Sequence, residues 1–218
     1  MSDVSLTYNP STFPGWAKNV AGWINGQEQS IKTCSTKIED LMTKLATKGT
    51  WSGPAAVDNF KSFEAAHNAL ISFNNQFGTS FIEIINSFKT KMSSLETLNL
   101  STMKVDSTSE EYQKIQEASA ANIDPEVINY NYDVITSIGE DLNSVMEVVR
   151  SVADSLEREI KRVGSGEGIW EGSLARSTAD ALCNIVHTKM REITTNLSQC
   201  ITNIKEAARN AKTVDTAQ

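Results

Sequence analysis

Among 218 residues there are four prolines, three cysteines and two histidines, and each scarcity removes a class of protein. Cys34, Cys183 and Cys200 are odd in number, contain no Cys-x-x-Cys pair and lie inside helical hydrophobic patterns, which is not how a disulfide scaffold or a zinc module is written. They read as small core thiols made in a reducing compartment. Four prolines and eleven glycines exclude collagen-like and low-complexity chains. No apolar run approaches the ~20 residues that span a bilayer. The start, from Met1 to Pro10, lacks the cationic and apolar regions of a secretory leader, so any export is expected to proceed without leader cleavage.

Basic residues are also in short supply. The formal net charge is −7, which argues against a protein that tracks phosphates or an anionic membrane surface and leaves proteins as the expected partners. The balance is uneven along the chain. Residues 1–105 hold nine Lys, no Arg and eight acids, whereas residues 106–218 hold eleven bases and nineteen acids. All seven Phe, Phe13 to Phe88, fall in the first half, and every Arg, Arg150 to Arg209, falls in the second.

What is present is helical hydrophobic spacing, with no convincing strand. Between Pro14 and Thr47, apolar positions Val20, Ile24, Ile31, Cys34, Ile38, Leu41 and Leu45 follow steps of three and four, interrupted at Gln27. Pro54 is well placed as the first residue of a second helix, where its missing N–H costs nothing. The stripe Phe60, Phe63, His67, Leu70, Phe73, Phe77, Phe81, Ile84, Phe88 and Leu95 carries that helix to about Leu98. Residues 101–125 lose the pattern and read as a linker, with a short helical stretch around Tyr112–Ile115. A third helix is expected from Glu126, with Ile135, Ile138, Leu142, Val145, Val149, Val152, Leu156, Ile160 and Val163 on its seam. It stops at the bend Gly164-Ser-Gly-Glu-Gly168. A fourth helix opens near Ser173, a good cap, and buries Leu182, Ile185, Ile193, Leu197, Cys200, Ile204, Ala207 and Ala211.

The order is helix, Trp-containing turn, helix, linker, and then the same again. Trp51-Ser-Gly53 and Trp170-Glu-Gly172 occupy the two turns, 119 positions apart. A lone Trp-x-Gly is common by chance; its recurrence between paired long helices is an internal repeat. On these residues the chain resembles the WXG family, the helical-hairpin proteins of type VII secretion that include the early secreted antigen proteins. The resemblance covers residues 14–100 and 126–212 and implies two fused hairpins, residues 1–100 and 126–218, joined by the linker 101–125.

Independently of the family, a helix of about 34 residues is about 50 Å long, and one hairpin cannot cover both of its apolar stripes. Two hairpins in one chain can. The expected fold is all-α: two long hairpins packed antiparallel as a single-chain four-helix bundle, forming one structural unit. A 25-residue linker reaches at most about 80 Å, enough to cross such a bundle. This arrangement would set Trp51 and Trp170 at opposite ends.

Gly53 and Gly172 supply backbone angles closed to other residues, and each indole can plug the end of a core while needing a partner for its N–H. That structural role stands beside a functional one implied by the resemblance, in which Trp at the bend and a Tyr-x-x-x-acid motif form a composite export signal. The tail Lys212–Gln218 has no Tyr. The linker has Tyr112, with Gln116 at the motif position and Glu117 one residue late, so a degenerate signal of Tyr112 and Glu117 with Trp170 is weighed against simple packing of the Tyr ring.

His67 and His187 stand apart in sequence with no His-Glu-x-x-His or matching acid spacing, so no metal site is expected. Gly164–Gly168 has no following Lys-Ser/Thr and no preceding strand, and reads as a flexible bend rather than a phosphate loop. Glu157–Arg162 reads as solvated ion pairs. Asn99-Leu-Ser101 and Asn196-Leu-Ser198 match a glycosylation acceptor but mean little without a leader. Trp16 and Trp23, near Phe13 and Pro14, form either a hydrophobic cap or an exposed partner patch.

No nucleophile, base and orienting acid can be assembled by spacing, so the chain is expected to be neither an enzyme nor a cofactor protein. The resemblance implies a type VII secretion substrate or accessory protein, made in a bacterial cytoplasm and exported folded. Its implied partners are a secretion ATPase and a co-secreted toxin or effector. The alternatives are an intracellular adaptor or chaperone for a larger toxin and, less favoured by the acidic charge, a membrane-perturbing effector. Since one chain carries both hairpins, a monomer is expected.

Overall fold

The structure is a computed structural model that describes residues 7–26, 29–89, 92, 95, 98 and 109–215, with side chains to residue 210. It is mostly helical. In chain order the elements are β1 (Thr7–Tyr8), α1 (Phe13–Ala21), a π-helical turn (Gly22–Gly26), α2 (Ile31–Leu45), β2 (Trp51–Ser52), α3 (Pro54–Lys89), α4 (Glu110–Asn122), β3 (Asn129–Tyr130), α5 (Tyr132–Lys161), β4 (Trp170–Glu171) and α6 (Ser173–Asp215).

These elements group into two compact units. Unit one comprises residues 1–33, 71–105 and 150–190, and unit two comprises 34–70, 106–149 and 191–218. The divisions fall inside α2, α3, α5 and α6, so each unit draws on both sequence halves and holds one of the two Trp-x-Gly bends.

Local chemistry explains the helix starts. Pro54 opens α3 directly after Gly53. Ser109 accepts the Tyr112 N–H on its hydroxyl at 3.1 Å, and Glu110 and Glu111 occupy the first turn of α4, where negative charge complements the helix dipole. Asn131 accepts the Val134 N–H at 3.3 Å ahead of α5. At the start of α2, Ser30 accepts the Thr33 N–H at 3.3 Å.

Unit one has an aromatic core. Phe73, Phe77 and Phe81 on α3 and Phe13 on α1 are fully buried, and successive rings are spaced so that Phe73 meets Phe77 at 5.5 Å and Phe77 meets Phe81 at 6.0 Å. Trp16 joins them at 5.8 Å from Phe81, and its indole N–H donates to the Glu159 carbonyl at 2.8 Å. Trp16 is thus a core residue, whereas Trp23 in the π turn is half-buried. Unit two is mostly aliphatic. Ile38, Leu41 and Leu45 of α2, Leu70 of α3, Ile135, Ile138, Leu142 and Val149 of α5, and Ile193, Leu197 and Cys200 of α6 are buried there. Full burial of each such side chain contributes about 1.5–3 kcal/mol before conformational entropy is charged against it.

The buried positions follow the expected stripes, with differences. The first stripe is not one helix: it breaks into α1, the π turn Gly22–Gly26 and α2, while Gln27, where an interruption was expected, lies outside the described residues. On α3 it is Ile85, not Ile84, that is buried after Phe81, and on α6 it is Val186, not Ile185. Ala207 is half-buried, and the side chain of Ala211 lies outside those described, as does Asn99. Helix α3 ends at Lys89 rather than near Leu98, most of the intervening residues lying outside those described. The third helix starts at Tyr132, six residues after Glu126, because the chain between bends at 125–127 and then pairs as β3. Among the described residues, four two-residue strands stand where none was expected. The short linker helix is present and longer than read, as α4.

Candidate functional site: the two Trp-x-Gly bends

In unit one, Trp170 and Glu171 leave α5 through a glycine-rich turn and lead into α6. Gly172 has φ +109°, a conformation that an L side chain resists, so glycine here is a backbone requirement. The bend pairs antiparallel with β1, Tyr8 opposite Trp170 and Thr7 opposite Glu171. Asn9 N–H donates to the Ile169 carbonyl at 2.9 Å and the Thr12 hydroxyl to the Gly168 carbonyl at 3.3 Å. The indole lies 5.0 Å from Phe88 and 6.3 Å from Phe13, both edge-on, and Phe88 also meets Tyr8 at 5.5 Å. Trp170 is therefore a plug in an aromatic cluster. Its buried N–H finds no partner among the described residues, contrary to the general need of an indole.

The middle residue of this bend organises the turn before it. The Glu171 carboxylate accepts N–H groups from Gly166 at 3.1 and 3.2 Å and from Gly168 at 3.0 Å. With Gly164, Gly166 and Gly168 all at positive φ, the N–H groups of Gly166 and Gly168 converge on one carboxylate. The expected flexible bend is a loop wrapped on its own carboxylate. Beside it Arg162 bridges Glu159 and Glu167, each at 2.8 Å, while Glu157 takes Lys161 at 3.4 Å and His187 at 2.6 Å. These are exposed or half-exposed pairs, worth about 0–1 kcal/mol each.

In unit two the second bend is built in the same way. Gly53 has φ +108°, and Trp51-Ser52 pairs antiparallel with β3, Tyr130 opposite Trp51 and Asn129 opposite Ser52. Gly53 N–H donates to the Asp124 carbonyl at 2.8 Å, Asn131 N–H to the Thr50 carbonyl at 2.8 Å and the Ser52 hydroxyl to the Asn122 carbonyl at 3.2 Å. The Trp51 ring meets Tyr130 edge-on at 5.7 Å. Each bend thus receives a Tyr-Asn segment, Tyr8-Asn9 or Tyr130-Asn131, that closely precedes a helix of the other sequence half. Sequence reading missed both segments. The signal was there: Tyr-Asn recurs ahead of each half, but two residues are too short for strand periodicity.

Tyr112 lies on α4 in unit two, 4% exposed, and stacks on His67 with ring centroids 4.3 Å apart. His67 Nε2 sits 2.7 Å from Glu39 Oε1, so Nε2 carries the proton facing the carboxylate, and Nδ1 is buried with no partner among the described residues. Gln116 donates to Glu64 at 3.0 Å, and Glu117 is exposed. Tyr112 and Trp170 fall in different units, and the ring contacts of each are made inside its own unit.

Several buried acids of high pKa carry a pH signature. Burial, aided by Glu64 and Glu39, pushes the Tyr112 phenol from 10.0 up to about 12, and burial and Tyr132 do the same for Tyr130. Burial pushes the Cys34 thiol from 9.0 to about 11 and that of Cys200 to about 12. All are neutral when protonated and are held protonated more strongly by the folded chain. Their stabilisation is complete below pH 9.0–10.0 and is lost as pH rises through about 11–12. The urea midpoint is expected to fall across that window, and Tyr112→Phe to make the fall shallower. An unchanged slope in that variant would remove Tyr112 as a contributor.

Among the described residues no group of three or more His, Cys, Asp or Glu is placed to hold a metal ion, and no helix is long and apolar enough to cross a membrane. No known family model, curated protein or solved structure matches the chain.

Proposed function

We propose that this protein is a two-hairpin relative of the WXG proteins, folded as one antiparallel four-helix bundle, and that it works in type VII secretion as an exported, non-enzymatic protein acting through protein contacts. The observation that supports this reading most is the likeness of the two bends. Each has a Trp in a strand pair with Tyr, a Gly at φ +108° or +109°, and a long helix starting on the next residue. A hairpin bend built twice in one chain with such closely matched backbone geometry is a repeated structural device, as two fused WXG hairpins would have.

The deciding experiment follows the chain in the native host with and without the secretion ATPase. The expected result is an unprocessed protein of 23.9 kDa in the culture supernatant that disappears when the ATPase is deleted. Retention in the cell in both strains would overturn export and favour the adaptor reading. Because Tyr112 is packed on His67, its part in an export signal is tested with Tyr112→Phe and Glu117→Gln, which spare the packing. Unchanged export in both would assign Tyr112 and Glu117 to structure alone.

A further inference from the structure

Both bend indoles are 3% exposed, and each stands beside a cavity. The bends differ in their apolar surroundings: among the described residues that line the cavity of about 400 Å³ beside Trp170, Leu174 is the one exposed large hydrophobic side chain, at 48%. On the segment paired with Trp51, three large apolar side chains face solvent within six residues of one another: Val127 at 53% exposure, Ile128 at 87% and Tyr132 at 39%. Ile128 and Tyr130, with Trp51, Pro54 and Ala55 on one side and Ala207 on α6 on the other, line a cavity of about 340 Å³. That is a small ligand-sized volume, enough for a side-chain anchor. Contiguous exposed apolar groups beside a preformed cavity are the usual mark of a protein docking site.

Charge around the cavity selects the partner. The segment Ile123–Asp133 has exposed Asp124, Glu126 and Asp133 and no base. On α6, at 3.6 residues per turn, Glu206 falls on the same face as Ala207 and Asn210, while Lys205 and Arg209 fall round the helix. The base on the adjoining turn is Lys48.

We propose that the Trp51 bend is a docking face for a basic amphipathic helix of a partner protein, its apolar edge seated on Val127 and Ile128 with one side chain in the cavity, and its Lys or Arg residues opposite Asp124, Glu126, Asp133 and Glu206. The mode is helix-in-groove recognition with an electrostatic rim. It concerns what the bend binds and holds whether or not the chain is exported.

The test titrates the full chain with a fluorescent designed 18-residue helix carrying Leu on one face and Lys on the other, and with its Glu-faced counterpart. The Lys-faced helix is expected to bind and the Glu-faced one not. Val127→Ser with Ile128→Ser should weaken binding at least tenfold without altering the circular dichroism spectrum, since both side chains are exposed. Leu174→Ser, at an exposed apolar site in unit one, should leave it unchanged. Glu126→Gln with Asp133→Asn and Glu206→Gln should flatten the salt dependence. Equal binding of the two helices, or binding indifferent to the Ser pair, overturns the proposal. Binding of zwitterionic vesicles that the Ser pair abolishes would also overturn it, by assigning the patch to lipid.

Discussion

Phe88→Ala is expected to be among the most destabilising single substitutions in unit one, lowering unfolding free energy by about 3–5 kcal/mol, the usual cost of deleting a buried aromatic ring. Phe88 is 3% exposed and touches three rings at once: Phe13 at 4.4 Å, Trp170 at 5.0 Å and Tyr8 at 5.5 Å. Removing it opens a cavity beneath the bend and takes one wall from each of those rings. The same substitution at Phe73 loses a fully buried ring but leaves this cluster intact. Urea unfolding followed by Trp fluorescence distinguishes the two, because Phe88→Ala should also shift the native emission of Trp170 to longer wavelength. A native spectrum identical to wild type, with a midpoint change below that of Phe73→Ala, would show that the cluster does not hold the bend.

Gly164→Ala is the second large effect, at about 2–4 kcal/mol from backbone strain and overpacking together. Gly164 has φ +77°, and a Cβ there would stand 2.5 Å from Arg176 Cγ, 3.1 Å from its backbone N and 3.2 Å from its Cα. The side chain can turn away; the backbone of α6 cannot do so without moving. Gly164 N–H also donates to the Trp170 carbonyl at 2.8 Å, so any shift is passed to the bend. Gly166 provides the control. Its φ is +91° but nothing lies within 4 Å of where a Cβ would stand, so Gly166→Ala should show the strain alone, about 1–2 kcal/mol. Equal melting temperatures for the two variants would refute the close approach of α6.

Most of the helical core was legible because its signal is local and repeated. Val20, Ile24, Ile31, Cys34, Ile38, Leu41 and Leu45 are all buried, as are the nine seam positions from Ile135 to Val163, since a 3.6-residue period places them on one face whatever that face meets. Pro54 and Ser173 marked their helix starts for equally local reasons. A helix was expected straight after Pro125, but the Asp124 carboxylate accepting the Glu126 N–H at 2.8 Å turns the chain, and the Gly53 N–H on the Asp124 carbonyl and the Asn131 N–H on the Thr50 carbonyl tie the segment to the bend. His67 was legible as a buried stripe residue, but its carboxylate partner Glu39 lies on another helix and its stacking partner Tyr112 on the linker.

By itself, then, the sequence determined the helices, their buried faces and the two bends, all of which depend on residues close along the chain. The tertiary structure alone decided which extended segment seats on each bend, that Glu171 gathers the glycine turn, and that Val127, Ile128 and Tyr132 beside the Trp51 bend are left facing solvent. A strand of two residues has no periodicity of its own. Its place is set by backbone N–H and carbonyl groups that need partners, and here those partners come from the other half of the chain.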